Sequence, residues 1–310
     1  MTNDDVSAPV AAPRVLEGGQ PGSDPVGPLV PARARDLLGF SVGRVLPSPG
    51  LRAVGPFVFL DRMGPTALPP GAGLDVPPHP HIGLATVTYL LAGEIVHRDS
   101  LGSEVEIRAG DVNWMFAGRG IVHSERSGAA ARARGGSLHG VQCWVAVPTE
   151  QEDAPPRFEH HDRGALPERE RDGVRVRVVA GHAWDLRAPV TVASPTLFVD
   201  LALQAGAAIA LPTEHEQRAV FVLGGEVRCG AVDVAVDTLA VLQTGAALQL
   251  VARSPARVLL LGGAPLGPRA MWWNFVATDP ARIEAAKRAW ADDAMGHVPG
   301  ESERVPLPAR

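Results

Sequence analysis

From about residue 37 onward, short apolar runs are interrupted by Gly, Pro or Asp about every 8–12 residues. Representative runs are "TVTYLLAGEIVHRD" (86–99), "EVEIRAGDVNWMFAG" (104–118), "TLFVDLALQAG" (196–206) and "RAVFVLGGEVRCG" (218–230). β-Branched and aromatic residues alternate along them, as in antiparallel strands. This punctuation predicts an all-β protein whose antiparallel strands form sandwiches or barrels.

One segment departs from the strand pattern. In "DPARIEAAKRAWADDAM" (279–295), Asp279 can cap a helix and Pro280 suits its first turn. Ile283, Ala286 and Trp290 then recur at helical spacing. The sequence therefore predicts a single helix near the C-terminus, after the long β region.

A weak internal repeat divides the β region into two halves. Residues 86–95 align with 219–227 when their Gly-Glu pairs are superposed, and 113–125 align with 240–252. Under this alignment four polar residues of the first half correspond to Leu211, Thr213, Leu250 and Ala252 of the second half; they are His79, His81, His123 and Glu125. The second half therefore has three apolar residues and one hydroxyl where the first half has three imidazoles and one carboxylate. Two tandem β units are predicted, and if one half carries metal chemistry, it is the first.

Composition excludes several classes of function. The chain has 310 residues, a formal net charge of −5 and no basic run, so neither nucleic acid nor an anionic membrane is an expected partner. Two distant cysteines argue against a disulfide framework or a thiolate metal site. The N-terminus lacks the pattern of a signal peptide, and no apolar run reaches about 18 residues. A cytoplasmic location without a membrane span is expected.

The polar positions of the first half form two pairs with the same spacing. "PPHPHIGLATVTY" (77–89) contains His79 and His81, and "GRGIVHSER" (118–126) contains His123 and Glu125. Residues i and i+2 of a strand point to the same face. If the two pairs face each other, they offer three imidazole nitrogens and one carboxylate, a donor set suited to Fe, Mn, Co, Ni, Cu or Zn. The prolines beside the first pair restrict the backbone that carries the ligands.

Each of these residues also has a structural interpretation. A lone strand histidine is usually a hydrogen-bonded structural residue, and a His-x-Glu pair is often an exposed ion pair; the combination favours a metal site. Gln142 is a candidate pocket residue or a satisfied strand amide. Three aromatic residues are candidates for a pocket wall or for the core, with the core favoured: Trp114, Phe116 and Trp144. His97 is interpreted as a strand-end residue, and His160 and His161 as solvated residues of a linker.

Four segments, in order, resemble the signature segments of the pirin family within the cupin superfamily. They are "PPHPHIGLATVTYLLAGEIVHRDSLG", "RAGDVNWMFAGRGIVHSER", "LHGVQCWVAVP" and "MWWNFVATDPARIEAAKRAW". The resemblance runs from about residue 37 to 308. It implies two tandem cupin (jelly-roll-type) barrels packed face to face, with metal only in the N-terminal barrel and with ligands at His79, His81, His123 and Glu125.

The resemblance also suggests domain boundaries. We expect a disordered tail over 1–30, a metal-binding barrel over 31–150, a linker over 151–168, and a metal-free barrel with the terminal helix over 169–310. The chain departs from the usual family pattern after the second histidine. Pirins usually show Arg-Gly-Phe-Glu there, whereas this chain reads Ile82, Gly83, Leu84, Ala85.

The resemblance implies a function of the quercetin 2,3-dioxygenase type, in which a flavonol ring is opened with O2 and carbon monoxide leaves. One divalent transition metal is implied as cofactor. Fe(II) is favoured, and Mn, Co, Ni, Cu and Zn remain compatible with the donor set. Glu125 would act as ligand and as candidate base. The alternative is a metal-dependent regulatory protein that binds a transcription factor or metabolic enzyme without turnover, and a weaker option is a hydrolase or isomerase.

Overall fold

The computed structural model describes residues 25–37 and 40–308, which are mostly β-strand. The described residues before 165 form twelve strands: β1 (Val26–Pro31), β2 (Arg33–Leu37), β3 (Phe40–Leu46), β4 (Phe57–Leu68), β5 (Asp75–His81), β6 (Leu84–Ala92), β7 (Glu94–Asp99), β8 (Glu104–Arg108), β9 (Val112–Phe116), β10 (Ile121–Arg126), β11 (Gly136–Ala146) and β12 (Arg157–His161). A short helix, α1 (Ala129–Arg134), precedes β11.

The described residues after 165 form thirteen strands and one longer helix: β13 (Glu168–Arg171), β14 (Val174–Ala183), β15 (Leu186–Arg187), β16 (Thr196–Leu203), β17 (Ala208–Ala210), β18 (Gln217–Gly224), β19 (Val227–Cys229), β20 (Val232–Val234), β21 (Thr238–Leu242), β22 (Gln249–Ala252), β23 (Ala256–Gly263), β24 (Ala270–Trp272), β25 (Phe275–Ala277) and α2 (Pro280–Ala291). In the part of the chain so described, neither helix has the length and hydropathy needed to span a bilayer.

The strands form two barrels of similar design. In the first barrel a large sheet, β12-β9-β6-β11-β4-β3-β2, closes over a small sheet, β5-β10-β7-β8. In the second barrel the large sheet is β1-β21-β18-β23-β16-β14-β13 and the small sheet is β17-β22-β19-β20. The all-β prediction is confirmed. Repeated antiparallel pairing of short strands closes each unit around its own interior.

The two large sheets pack against each other and share one core. Val87 and Tyr89 of β6 pack in the same buried cluster as Phe198 of β16, Phe221 of β18 and Leu259 of β23. Alternation along β6 therefore sends one set of side chains to the other barrel and the other set, Thr86 and Thr88, into the first barrel. Because both faces of each large sheet are covered, most side chains of these strands are buried, and the charged ones among them, such as Asp61 and Asp200, are held by arginines.

A buried polar contact crosses this shared core. The Tyr89 hydroxyl donates to Oδ2 of Asp200 at 2.7 Å, and Arg257 binds both carboxylate oxygens of Asp200 at 2.9 and 2.7 Å. Asp200 is 1% exposed. The guanidinium of Arg257 and the hydroxyl of Tyr89 compensate the buried negative charge of Asp200. The polar contact between the barrels therefore leaves no charge unpaired.

The first strand, β1, and the C-terminal helix, α2, each pack on the barrel that the other half of the chain forms. β1 joins the large sheet of the second barrel by pairing with β21, and Val26 and Val30 are buried there. The prediction of a tail over 1–30 is wrong at its end, because residues 26–30 belong to this strand. Residues 1–24 lie outside the described residues. The tail was expected to lack a partner, but its two valines bury apolar surface against the sheet.

The predicted C-terminal helix is confirmed, and it packs on the first barrel. Asp279 caps α2 by accepting from the backbone N–H of Ala281 at 2.9 Å, as the sequence indicated. Ile283 and Trp290 pack with Ile82 and Val122, which belong to the first barrel. The helix ends at Ala291, four residues before the predicted end.

The expected linker over 151–168 is partly structured. It contains β12, which pairs with β9 and extends the large sheet of the first barrel. His160 is half-buried there, and its Nδ1 lies 2.7 Å from Oδ1 of Asn113. The interpretation of His160 and His161 as solvated linker residues is therefore wrong, because main-chain pairing places both on a sheet.

Candidate metal centre

Two neighbouring strands of the small sheet bring three imidazoles together inside the first barrel. His79 of β5 is the register partner of His123 of β10, and their ring centroids lie 4.3 Å apart. The ring of His81 lies 5.0 Å from that of His79 and 5.1 Å from that of His123. One nitrogen of each ring lies within 4.8 Å of the others. The convergence of these three predicted residues follows from strand alternation and antiparallel register.

Hydrogen bonds orient two of the rings from behind. Nδ1 of His79 lies 2.9 Å from the carbonyl oxygen of Pro77, and Nδ1 of His81 lies 3.2 Å from that of Asn274. A carbonyl only accepts, so each Nδ1 carries the proton and each Nε2 keeps its lone pair. The Nε2 atoms of His81 and His123 are buried and have no hydrogen-bond partner among the described residues.

Burial keeps these imidazoles neutral. Loss of hydration lowers the pKa of His79 to about 4. It lowers the pKa of His81 and of His123 well below the usual value, and repulsion from neighbouring imidazoles lowers them further. A metal binds the neutral imidazole, so the three rings need lose no proton near neutral pH. Orphaned, converging lone pairs on neutral rings fit a divalent transition metal.

Glu125 lies at the edge of this cluster. Its carboxylate is within 4.8 Å of ligand atoms on His123 and His97, and these three residues form a second group that shares His123 with the first. The Thr88 hydroxyl donates to Oε1 of Glu125 at 2.7 Å. Burial raises the pKa of Glu125, and the bond from Thr88 partly offsets this. The predicted carboxylate is therefore close to one imidazole of the cluster, turned toward the large sheet.

His97 is the residue that sequence reasoning missed. It lies on β7, opposite Glu125 in the register of β10, and it is 2% exposed. Its interpretation as a strand-end residue overlooked a signal, since His97 and Asp99 repeat the i, i+2 spacing of the two recognised pairs. A third polar pair on the strand beside β10 must face the same interior.

A row of polar side chains crosses the large sheet opposite the imidazoles. Successive register partners on β9, β6, β11, β4 and β3 are Asn113, Thr88, Gln142, Asp61 and Arg44. Oγ1 of Thr88 lies 2.8 Å from the amide of Gln142. The Gln142 atom that faces Thr88 is Oε1, so the single Thr88 proton is shared between two acceptors, Oε1 of Glu125 and Oε1 of Gln142. The structure thus places Gln142 beside the site, as the pocket interpretation expected.

The aromatic wall of the site differs from the predicted one. Trp144 lies edge-on to His81 with 5.3 Å between centroids, and it stacks on Phe59 at 4.0 Å. Trp114 is buried in the core between the barrels, and Phe116 carries the guanidinium of Arg157 over its ring at 3.9 Å. Trp114 and Phe116 are therefore not pocket residues, because even-numbered positions of β9 face away from the first barrel's interior.

The departures from the usual family pattern are buried apolar residues around the site. Ala85 is buried between the barrels, and Ile82 packs with the C-terminal helix. Leu84 packs with Trp144 and with Val276 of β25. These substitutions thus act on packing around the site and contribute no polar group to it.

The second barrel has an apolar interior where the first has imidazoles. Leu211, Leu250 and Ala252 are buried in its core, at 4%, 0% and 0% exposure, while Thr213 is exposed. Within the described ranges, every group of three or more potential metal ligands falls between residues 79 and 162. That metal chemistry belongs to the first half stays a prediction.

Two jelly-roll barrels packed face to face, one with a buried histidine cluster and one filled with apolar side chains, define a bicupin. The Pirin family profile matches residues 39–145, and the Pirin C-terminal cupin domain profile matches residues 198–296. The chain belongs to the pirin family. A pirin-like protein of Caulobacter vibrioides is 46% identical over 282 residues, which cover 89% of this chain and 97% of that protein.

Two further proteins show the same relationship. A pirin-like protein of Solanum lycopersicum is 33% identical over 83% of this chain and 87% of its own length. The crystal structure of quercetin 2,3-dioxygenase from Acinetobacter baumannii matches with a TM-score of 0.85 and 34% identity, covering 91% of this chain and 95% of that one. Both barrels are therefore included in the similarity.

Proposed function

We propose that this protein holds one divalent transition metal through His79, His81, His123 and Glu125, and that it opens the ring of a flavonol such as quercetin with O2. Two observations carry the metal site: one nitrogen from each of the three rings converges, and the buried Nε2 atoms of His81 and His123 have no hydrogen-bond partner among the described residues. The quercetin 2,3-dioxygenase of A. baumannii, similar over both barrels, supports the choice of reaction.

The donor set suits Fe(II), the metal we favour, and accepts Mn, Co, Ni, Cu or Zn. When bound, such a metal supplies Lewis acidity toward a phenolic oxygen and makes reaction with O2 accessible. The overall reaction is balanced without a further reductant, since the flavonol and O2 give a depside and carbon monoxide.

Glu125 is the group placed to move a proton. Burial raises the pKa of this carboxylate, which makes it a stronger base than an exposed glutamate. It would accept the proton of the flavonol 3-hydroxyl on a carboxylate oxygen. The Thr88 hydroxyl, 2.7 Å from Oε1, holds the carboxylate in place while it does so. Gln142, bonded to Thr88, orients that hydroxyl.

The stacked pair of Trp144 and Phe59 provides a flat, apolar wall beside His81. Such a wall suits an aromatic ring system and excludes water from it. The guanidinium of Arg44 lies 4.3 Å over the far face of Phe59 and fixes that ring from behind.

The experiment compares metal content and turnover in the same samples. Protein stripped with EDTA is reconstituted anaerobically with Fe(II), and quercetin loss, O2 uptake and carbon monoxide release are followed after air is admitted. The test variants are His81→Ala and Glu125→Ala; His297→Ala, an exposed histidine outside the site, is the matched control. Turnover should be lost in both test variants and kept in the control.

Two results would contradict the proposal in different ways. Stoichiometric metal without turnover of any flavonol would remove the dioxygenase and favour a metal-dependent regulatory protein. Metal at only trace level after reconstitution would remove both functions.

A further inference from the structure

Asp99, at the end of β7, is a completely buried carboxylate with all its partners fixed. Its Oδ1 accepts from the backbone N–H groups of Leu101 at 2.9 Å and Ser103 at 3.1 Å. Its Oδ2 lies 3.0 Å from Nε2 of His97. Because both oxygens are held by donors, the carboxylate has one orientation and only accepts.

His97 is held between this carboxylate and an aromatic ring. Its imidazole stacks on Phe158 of β12 with 4.2 Å between centroids and 6° between planes. Asp99 can only accept from Nε2, so Nε2 is the protonated nitrogen whenever the His97 ring carries a single proton. Nδ1 of His97 is then left with a lone pair.

That lone pair is directed at a residue of the metal cluster. Nδ1 of His97 lies 3.4 Å from Nδ1 of His123, at the long end of hydrogen-bonding distance. Two lone pairs would repel, so His123 donates through Nδ1. Its Nε2 must then carry the lone pair, and this buried Nε2 has no hydrogen-bond partner within the described ranges.

We propose that Asp99 and His97 are positioning residues that set the tautomer and ring orientation of His123, so that its Nε2 is ready to bind metal. The proposal rests on the proposed metal site and goes beyond it, because neither residue is among the proposed ligands. Hydrogen-bond partners behind a ligating histidine fix its tautomer and raise its basicity, and their loss costs metal affinity about 10–100-fold.

The chain of bonds makes an unusual prediction for Asp99→Asn. Oδ1 of the asparagine must still accept from Leu101 and Ser103, so its NH2 group faces His97. His97 must then accept at Nε2 and carry its proton on Nδ1, where it donates to Nδ1 of His123. His123 is forced into the Nε2–H tautomer, which cannot bind metal through that atom.

The first measurement uses metal-free protein labelled with 15N in histidine. Two-bond nitrogen–hydrogen NMR correlations identify the tautomer of each ring. The wild-type protein should show His123 protonated on Nδ1, and Asp99→Asn should show it protonated on Nε2. An unchanged His123 tautomer in Asp99→Asn would overturn the proposal.

The second measurement is the dissociation constant for Co(II), obtained by competition with a chelator. Asp99→Asn and His97→Phe, which keeps the stack on Phe158, should each weaken Co(II) binding about 10–100-fold. Asp293→Asn removes the carboxylate beside the exposed His297, outside the site, and is the matched control, with unchanged binding expected. Wild-type affinity in both test variants, with native circular dichroism, would overturn the proposal.

Two further outcomes separate this inference from the proposed function. If the wild type binds no Co(II), the metal site fails, while the tautomers of the metal-free protein still test the positioning pair. If X-ray absorption of the Co(II) protein shows four coordinated imidazoles, His97 is itself a ligand and the positioning assignment is wrong.

Discussion

Acidification of the metal-free protein is expected to cost much of its stability, because three histidines are buried without charge. In the unfolded chain these rings gain protons as the pH falls through about 6.5. In the folded protein His79 resists protonation down to a pKa of about 4, and His81 and His123 resist it further. The unfolded state therefore binds more protons between these values, so the free energy of unfolding falls as the pH falls.

The magnitude follows from the same shifts. With pKa values of about 6.5 unfolded and about 4 folded, His79 loses roughly 2 kcal/mol of stabilisation between pH 7 and pH 5. His81 and His123 act in the same direction, because burial lowers the pKa of both rings well below the usual value. Glu125 acts in the opposite direction, because burial raises its pKa and acidification then favours the folded state. It returns at most about 1.4 kcal/mol per pH unit.

The loss of about 2 kcal/mol from His79 alone is a large fraction of the whole stability of many domains, about 5–15 kcal/mol. Urea unfolding of EDTA-treated protein at pH 7, 6 and 5 measures it. His79→Gln should lose about 2 kcal/mol less over this range than the wild type, whatever its absolute stability. His297→Gln carries the same change at an exposed ring and should follow the wild-type profile. A free energy of unfolding that stays constant or rises toward pH 5 would refute the reasoning.

Three further predictions address the site and the barrel interface. Thr88→Val removes the donor to Glu125 and should lower the free energy of unfolding of metal-free protein at pH 7.5 by about 1.5–3 kcal/mol in urea titrations; an unchanged value would show that the bond is not formed. Tyr89→Phe leaves Asp200 with only its arginine partner and should lower the free energy of unfolding by about 1.5 kcal/mol. The Co(II) dissociation constant should not change, and weaker Co(II) binding would contradict the view that this contact between the barrels is independent of the metal site. Co(II) at about 100 times its dissociation constant should add about 2.7 kcal/mol of stability, seen as a raised melting temperature; an unshifted melting temperature would argue against binding to the folded state.

The elements of the fold could be predicted from local sequence because their signals are local. Alternating apolar residues between glycine and proline turns indicated the strands, and Asp279 with Pro280 indicated the start of the final helix. Local sequence could not predict which barrel β1 and α2 would pack against. β1 pairs with β21, more than 200 residues away in the chain, and α2 packs on the barrel to which its own half does not belong. No local pattern encodes which distant apolar surface a segment covers.

The site shows the same division at the level of side chains. The i, i+2 spacing predicted that His79 and His81 share a face, and that His123 and Glu125 share another. The spacing could not tell which face of β9 looks inward, so Trp114 was considered for the pocket although it lies between the barrels. Trp144 was assigned to the core for the same reason, although it lies beside His81.

The sequence by itself determined which residues lie on a common strand face, because strand periodicity is a property of the chain. It also determined which half of the chain carries the three histidines and the glutamate of the candidate site, because residue chemistry is a property of the chain too. Only the tertiary structure decided which faces meet. The pairing of β10 with both β5 and β7 brings His97 against His123, and closure of the barrel brings Thr88 to Glu125. Burial, which is a property of the closed barrel and of no single residue, then holds the imidazoles neutral and raises the pKa of the carboxylate.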